Sequence, residues 1–142
     1  MAIINPYINF NGNTEEAFGF YKSVFGGEFS RIMRYQDMHG EGELPAGEGA
    51  KIMHMELPIG QGSSLMGSDT LEMMGGPATA GSNFSIALNP TSEEETHHLF
   101  NALAEGGQVG MALAQVPWGA IFGEVTDKYG LRWLVNYEFS QQ

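Results

Sequence analysis

A chain of 142 residues, 42% of them apolar, has room for one domain or for two half-size units sharing a core. Six Lys and Arg against 17 Asp and Glu give a formal charge of −11, which repels nucleic acid and anionic lipid alike; no window nears the ~18 unbroken apolar residues of a membrane span. The sequence has no cysteine, which excludes disulfides and thiolate chemistry, and its opening lacks the basic and apolar regions of a signal peptide, so a cytoplasmic location is expected.

In chain order, residues 6–10 read as a strand that ends in the turn Asn11-Gly12. Asn13 is placed to cap a helix with Glu16 at its third position, and Ala17, Phe20, Tyr21 and Val24 form its apolar stripe. Gly26-Gly27 stops that helix. Strand-like runs follow at 28–36, 51–59 and 63–68, with a Gly- and Glu-rich loop over 38–50. Residues 70–82 read as a linker between modules, either a solvated loop or a lid over a pocket. The same order then returns. A strand at 83–88 leads to Ser92 as cap with Glu95 three residues on, then Thr96, Leu99, Phe100 and Leu103, then Gly106-Gly107. Runs at 108–115, 120–126 and 132–139 complete it. Cap, stripe and stop recur together, so the chain reads as βαβββ–βαβββ, an α+β protein of two modules (1–69 and 83–142) in one domain.

Strand alternation sorts the side chains. Ile8 and Phe10, then Phe84, Ile86 and Leu88, are expected under the helices, as are Met53, Met55 and Leu57. Met33 and Trp133 also read as core. The opposite faces carry Asn5, Tyr7, Asn9, His54 and Glu56 in the first module, and Asn83, Ser85, Arg132, Leu134 and Asn136 in the second. Such faces either meet water or, where sheets curl, line a cleft for a small molecule. Met66, Met73 and Met74 are placed to flank that cleft, and Trp118 to wall it. His54 and Glu56, two residues apart on one face, are the candidate proton-transfer pair. His97 and His98 are expected on a helix surface and His39 in a solvated loop.

Several runs carry a family resemblance. They are Pro6-Tyr7-Ile8-Asn9-Phe10-Asn11-Gly12-Asn13, Phe20-Tyr21-Lys22-Ser23-Val24-Phe25-Gly26-Gly27, Leu65-Met66-Gly67-Ser68-Asp69, Trp118-Gly119, Phe122-Gly123, Val125-Thr126-Asp127-Lys128-Tyr129-Gly130 and Trp133. In order along nearly the whole chain, they resemble the PhnB-like branch of the glyoxalase/bleomycin resistance/dioxygenase (vicinal oxygen chelate) superfamily. The resemblance implies paired βαβββ modules whose curved mixed sheets surround a cleft, and a homodimer. It also implies a divalent metal on His and Glu side chains from the first and last strands of each module. Those positions fall here near Asn5 or Tyr7, and near Met66, Asn83 and Leu134; none is a His or a carboxylate. Proteins of this family often carry the label 3-demethylubiquinone-9 3-methyltransferase. The Gly-rich strand–turn–helix loop of a parallel-sheet methyltransferase is absent from the sequence, and Arg132 is the one cation expected on the cleft face for an anionic phosphonate.

The expectation is a small-molecule-binding protein with no cofactor, using Tyr7, Asn9, His54, Glu56, Met66, Asn83, Trp118, Arg132 and Asn136. The alternative is a metal-dependent or acid–base enzyme centred on His54 and Glu56. Neither nucleic acid nor membrane is an expected partner.

Overall fold

A computed structural model describes residues 2–40, 42–60 and 62–139. They form two compact units, Met1–Thr79 and Ala80–Gln142. The first contains β1 (Tyr7–Phe10), α1 (Thr14–Phe25), β2 (Arg31–Arg34), β3 (Ile52–Pro58) and β4 (Ser64–Asp69); the second contains β5 (Ile86–Leu88), α2 (Glu93–Ala104), β6 (Gln108–Val116), β7 (Ala120–Thr126) and β8 (Arg132–Glu138). The sheets run β1-β4-β3-β2 and β5-β8-β7-β6. The first strand of each unit pairs parallel with the last and the other neighbours are antiparallel. One topology is used twice, as the internal repeat predicts.

Helix α2 follows its local sequence closely. The Ser92 hydroxyl accepts from Glu95 N–H at 3.0 Å, and the Glu95 carboxylate accepts from Thr91 N–H at 2.8 Å. This is a reciprocal cap displaced one residue outward. The expected Thr96, Leu99, Phe100 and Leu103 are buried.

Helix α1 departs from its local signals. The Asn13 side chain makes no capping bond; Asp69, at the end of β4, accepts instead from Thr14 N–H at 2.9 Å and from the Thr14 hydroxyl at 2.7 Å. Pulling Thr14 into the core sets the rotation of the helix. The buried stripe is therefore Thr14, Ala17, Phe18, Tyr21 and Val24, with Phe18 fully buried and Phe20 only half-buried. Phe18 packs edge-on to Phe10 and Tyr21, with ring centroids 6.2 and 5.9 Å apart.

Each helix rests an aromatic ring on a glycine in a strand. A Cβ on Gly67 would lie 2.9 Å from both a Phe18 ring carbon and the Ile8 carbonyl oxygen. One on Gly123 would lie 2.8 Å from Phe100. Only glycine lets backbone and ring approach this closely.

Strand alternation fails at three places. Met33 pairs with His54 but Arg34 pairs with Ile52, so Met53 is the extra residue of a bulge. Ile52 takes the core place expected of Met53, beside Met55 and Leu57, while Met53 and Met33 are half-buried. Strand β2 covers only four of the expected residues 28–36, because the Arg34 N–H turns to the Asp37 carboxylate at 2.8 Å and a 3-10 turn over Tyr35–Asp37 follows. Strand β5 begins only at Ile86, opposite Trp133, which leaves Phe84 outside the sheet and 62% exposed.

The segment after β4 is tied down rather than free. Leu71 is buried, and the Asn11 side chain holds Ala78 by accepting from its N–H (2.8 Å) and donating to its carbonyl (2.9 Å).

Candidate functional site

The helix-free face of the first sheet collects five of the expected residues. Strand register sets Arg31 opposite Glu56, Glu56 opposite Met66, and Met66 opposite Tyr7, a single row across all four strands. One step along, Met33 faces His54, and Asn9 faces Ser68, whose hydroxyl donates to the Asn9 side-chain oxygen at 3.3 Å. Tyr7, Asn9, His54, Glu56 and Met66 therefore share one patch, with Arg31, Met33 and Ser68 among them.

His54 is the middle of a chain of polar contacts. Its Nε2 lies 3.0 Å from Glu56 Oε1 and its Nδ1 lies 3.5 Å from the Tyr7 hydroxyl, with the two rings 5.6 Å apart. The tautomer that uses both contacts carries its proton on Nε2, donates to Glu56 and accepts from Tyr7 O–H. Ser30 donates its hydroxyl to the other Glu56 oxygen at 3.0 Å. His54 and Glu56 side chains keep about a fifth of their surface exposed and Tyr7 nearly half. The arrangement fixes the imidazole on one side and leaves a phenol open to a ligand on the other. It can pass a proton or bind a hydroxyl or carbonyl oxygen.

The hydrogen bond from His54, then that from Ser30, holds the Glu56 carboxyl below its ordinary value of 4.5. A group depressed in the folded state contributes stability that is fully present above 4.5 and is lost as pH falls through the lower folded-state midpoint. The Glu56 carboxyl 13C resonance should therefore titrate below 4.5, and His54→Ala should move the midpoint upward. A wild-type midpoint at or above 4.5 contradicts this contact.

The second sheet's corresponding face carries Arg132 opposite Thr126, Leu134 opposite Glu124, and Asn136 opposite Phe122. Trp118, 60% exposed in the turn before β7, donates its indole N–H to the Asn136 side-chain oxygen at 3.4 Å and packs edge-on to Phe122 at 5.9 Å. The Arg132 guanidinium donates to the Ser82 carbonyl. Asn83, expected on this face, lies instead in an exposed bend ahead of β5, because pairing with β8 reaches back only to Ile86. Ser30 and Glu124 carry no sequence motif, and Phe122 belongs to a resemblance run without a site role. Alternation along β7 was the signal available for Phe122 and Glu124; nothing local marked Ser30. Met73 and Met74 are exposed in a 3-10 turn.

At the positions where the resemblance implies metal ligands, Asn5 Oδ1 accepts from Ser64 N–H, Tyr7 and Met66 face each other across β1 and β4, and Leu134 lies between Ala87 and Glu124. Among the described residues no three His, Asp or Glu side chains converge, and His54 and Glu56 bond each other. This donor set does not fit a divalent transition metal.

Two units of one βαβββ topology, each with a helix on the apolar face of a mixed sheet, make this a glyoxalase/bleomycin resistance-like α+β protein; structural neighbours described in those terms, all under 25% identical, share the fold. The chain belongs to the PhnB-like family within it: the family model described as 3-demethylubiquinone-9 3-methyltransferase matches residues 2–136. Protein YjdN of Escherichia coli K12 is 31% identical over 141 residues, covering 94% of this chain and 93% of its own. The crystal structure of PA1353 from Pseudomonas aeruginosa is 40% identical with a TM-score of 0.82, covering 97% of this chain and 98% of that one. A Bacillus cereus structure described as a putative 3-demethylubiquinone-9 3-methyltransferase, PhnB protein, is 28% identical with a TM-score of 0.73, covering 96% and 99%.

Proposed function

We propose that this protein binds a small organic molecule without a resident metal, against the helix-free face of the first sheet. The observation that carries the reading is the contact chain Tyr7–His54–Glu56, framed by Met33, Met66 and Asn9. It offers oriented polar groups beside soft thioethers, the mixture that small-molecule sites use. On the second unit, Trp118, Arg132 and Asn136 form a similar mixed surface. In a 1H–15N NMR screen of small organic compounds, hits should shift the amides of Tyr7, His54, Glu56 and Met66 together. His54→Ala should weaken them on the order of tenfold, the worth of one oriented hydrogen bond. A screen whose hits all leave those amides unmoved counts against the reading.

The same contact chain favours a second reading, acid–base catalysis with His54 as the proton carrier and Glu56 as its positioning residue. His54→Ala would then abolish turnover at nearly unchanged melting temperature. A drop of several degrees would instead mark His54 as structural.

The location proposed is the cytoplasm; among the described residues no helix is long and apolar enough to cross a membrane. We also propose a homodimer. Strand β6 lies at a sheet edge, carries no charged residue over nine positions, and exposes Val109 and Met111. Long uncharged edges invite pairing. Sedimentation equilibrium at micromolar concentration should give twice the 15.4 kDa chain mass; a single species at that mass overturns the dimer.

A further inference from the structure

A recess on the helix-free face of the second sheet opens between two opposite charges. It encloses about 100 Å3 and is lined by Ser85, Gly110, Glu124, Thr126 and Arg132 among others. Register sets Thr126 opposite Arg132 and Glu124 opposite Leu134, so the carboxylate and the guanidinium occupy diagonal positions on neighbouring strands. None of the ion pairs among the described residues joins them. Arg132 is anchored by one donor on the Ser82 carbonyl, leaving its other donors for a second acceptor. Gly110, beside a register shift in β6, keeps the wall low over Glu124.

We infer that this recess is a subsite for a small zwitterion, a carboxylate on Arg132 and an ammonium on Glu124, of the size of an amino-acid headgroup. The inference rests on the reading of these faces as ligand surfaces and names a ligand class for the second unit. Charge-assisted bonds at both ends outweigh one alone. A neutral zwitterion also escapes the repulsion that a formal charge of −11 imposes on a simple anion. The recess is bounded by a few side chains around Glu124, Thr126 and Arg132, a span that suits a compact headgroup.

The test is an NMR titration of the full chain with glycine, β-alanine, acetate and methylammonium, followed at the amides of Ser85, Gly110 and Thr126. One of the zwitterions should saturate these shifts at a Kd on the order of tenfold below that of either single-charge ion. Glu124→Gln should erase that preference while acetate still binds, and Arg132→Gln should abolish the acetate response. Arg132 also holds Ser82, so Gly110→Ala is the variant that spares the fold. Its Cβ would sit in ordinary contact, 3.8 Å from the Glu124 carbonyl, and should weaken every probe by narrowing the recess. Equal affinity for glycine, β-alanine and acetate, an unchanged preference in Glu124→Gln, or no saturating shift overturns the inference. Silence at these amides beside compounds that move His54 rejects the zwitterion subsite alone; silence at both faces rejects the ligand-surface reading with it.

Discussion

Asp69→Ala should lower the free energy of unfolding by about 4 kcal/mol. The carboxylate accepts three hydrogen bonds in a buried place: Thr14 N–H at 2.9 Å, the Thr14 hydroxyl at 2.7 Å and Ile52 N–H at 2.8 Å. Its own backbone carbonyl takes the Tyr35 hydroxyl at 2.8 Å. One residue thus joins the start of α1, the start of β3, the end of β4 and the turn after β2. Alanine leaves the two Thr14 donors and the Ile52 N–H with no acceptor, while the Tyr35 hydroxyl keeps the backbone carbonyl; the site, with Asp69 only 3% exposed, has little access to water. Asp69→Asn should fall between, since an amide oxygen can still serve Thr14 while its NH2 faces the Ile52 N–H. Urea denaturation measures both. A loss below about 1 kcal/mol for the alanine variant would mean the donors find other partners.

Gly67→Ala should cost about 3 kcal/mol, far more than a methyl group adds elsewhere. The new Cβ would stand 2.9 Å from the Ile8 carbonyl oxygen, which the parallel pairing of β1 with β4 holds in place, and 2.9 Å from the Phe18 ring. Neither neighbour is the free end of a flexible chain. Phe18→Leu in the same protein removes the ring contact but not the carbonyl contact, so the double variant should recover part of the loss and show coupling. Strictly additive losses would mean that the helix does not press on the strand at this point.

Where one stretch of sequence supplied both partners of an interaction, the structure was legible beforehand. Ser92 and Glu95 cap α2 within four residues, and Trp133, Val135 and Tyr137 alternate along an unbroken strand. The two polar faces were legible for the same reason, because Tyr7 and Asn9, or His54 and Glu56, are spaced by two. Partners distant in sequence were not. Asp69 replaces Asn13 as the cap from 55 residues away. The Met53 bulge depends on how β2 pairs, and the exposure of Phe84 and Asn83 depends on where β8 stops pairing with β5. The approach of Tyr7 to His54 also needed the sheet order, since β4 lies between their strands and only long side chains span that gap.

On the proposed function, an organic ligand binds the His54 face without a metal. The tightest compound from the NMR screen should be titrated into protein stripped with EDTA, then again after adding one equivalent of Zn2+ or Mn2+, with His54 and Glu56 as reporters. The expected result is one saturable site with the same Kd in all cases. Tightening on the order of tenfold when metal is added, or binding only then, would contradict it, because a metal held at this face would supply charge-assisted contacts that Tyr7, His54 and Glu56 alone do not.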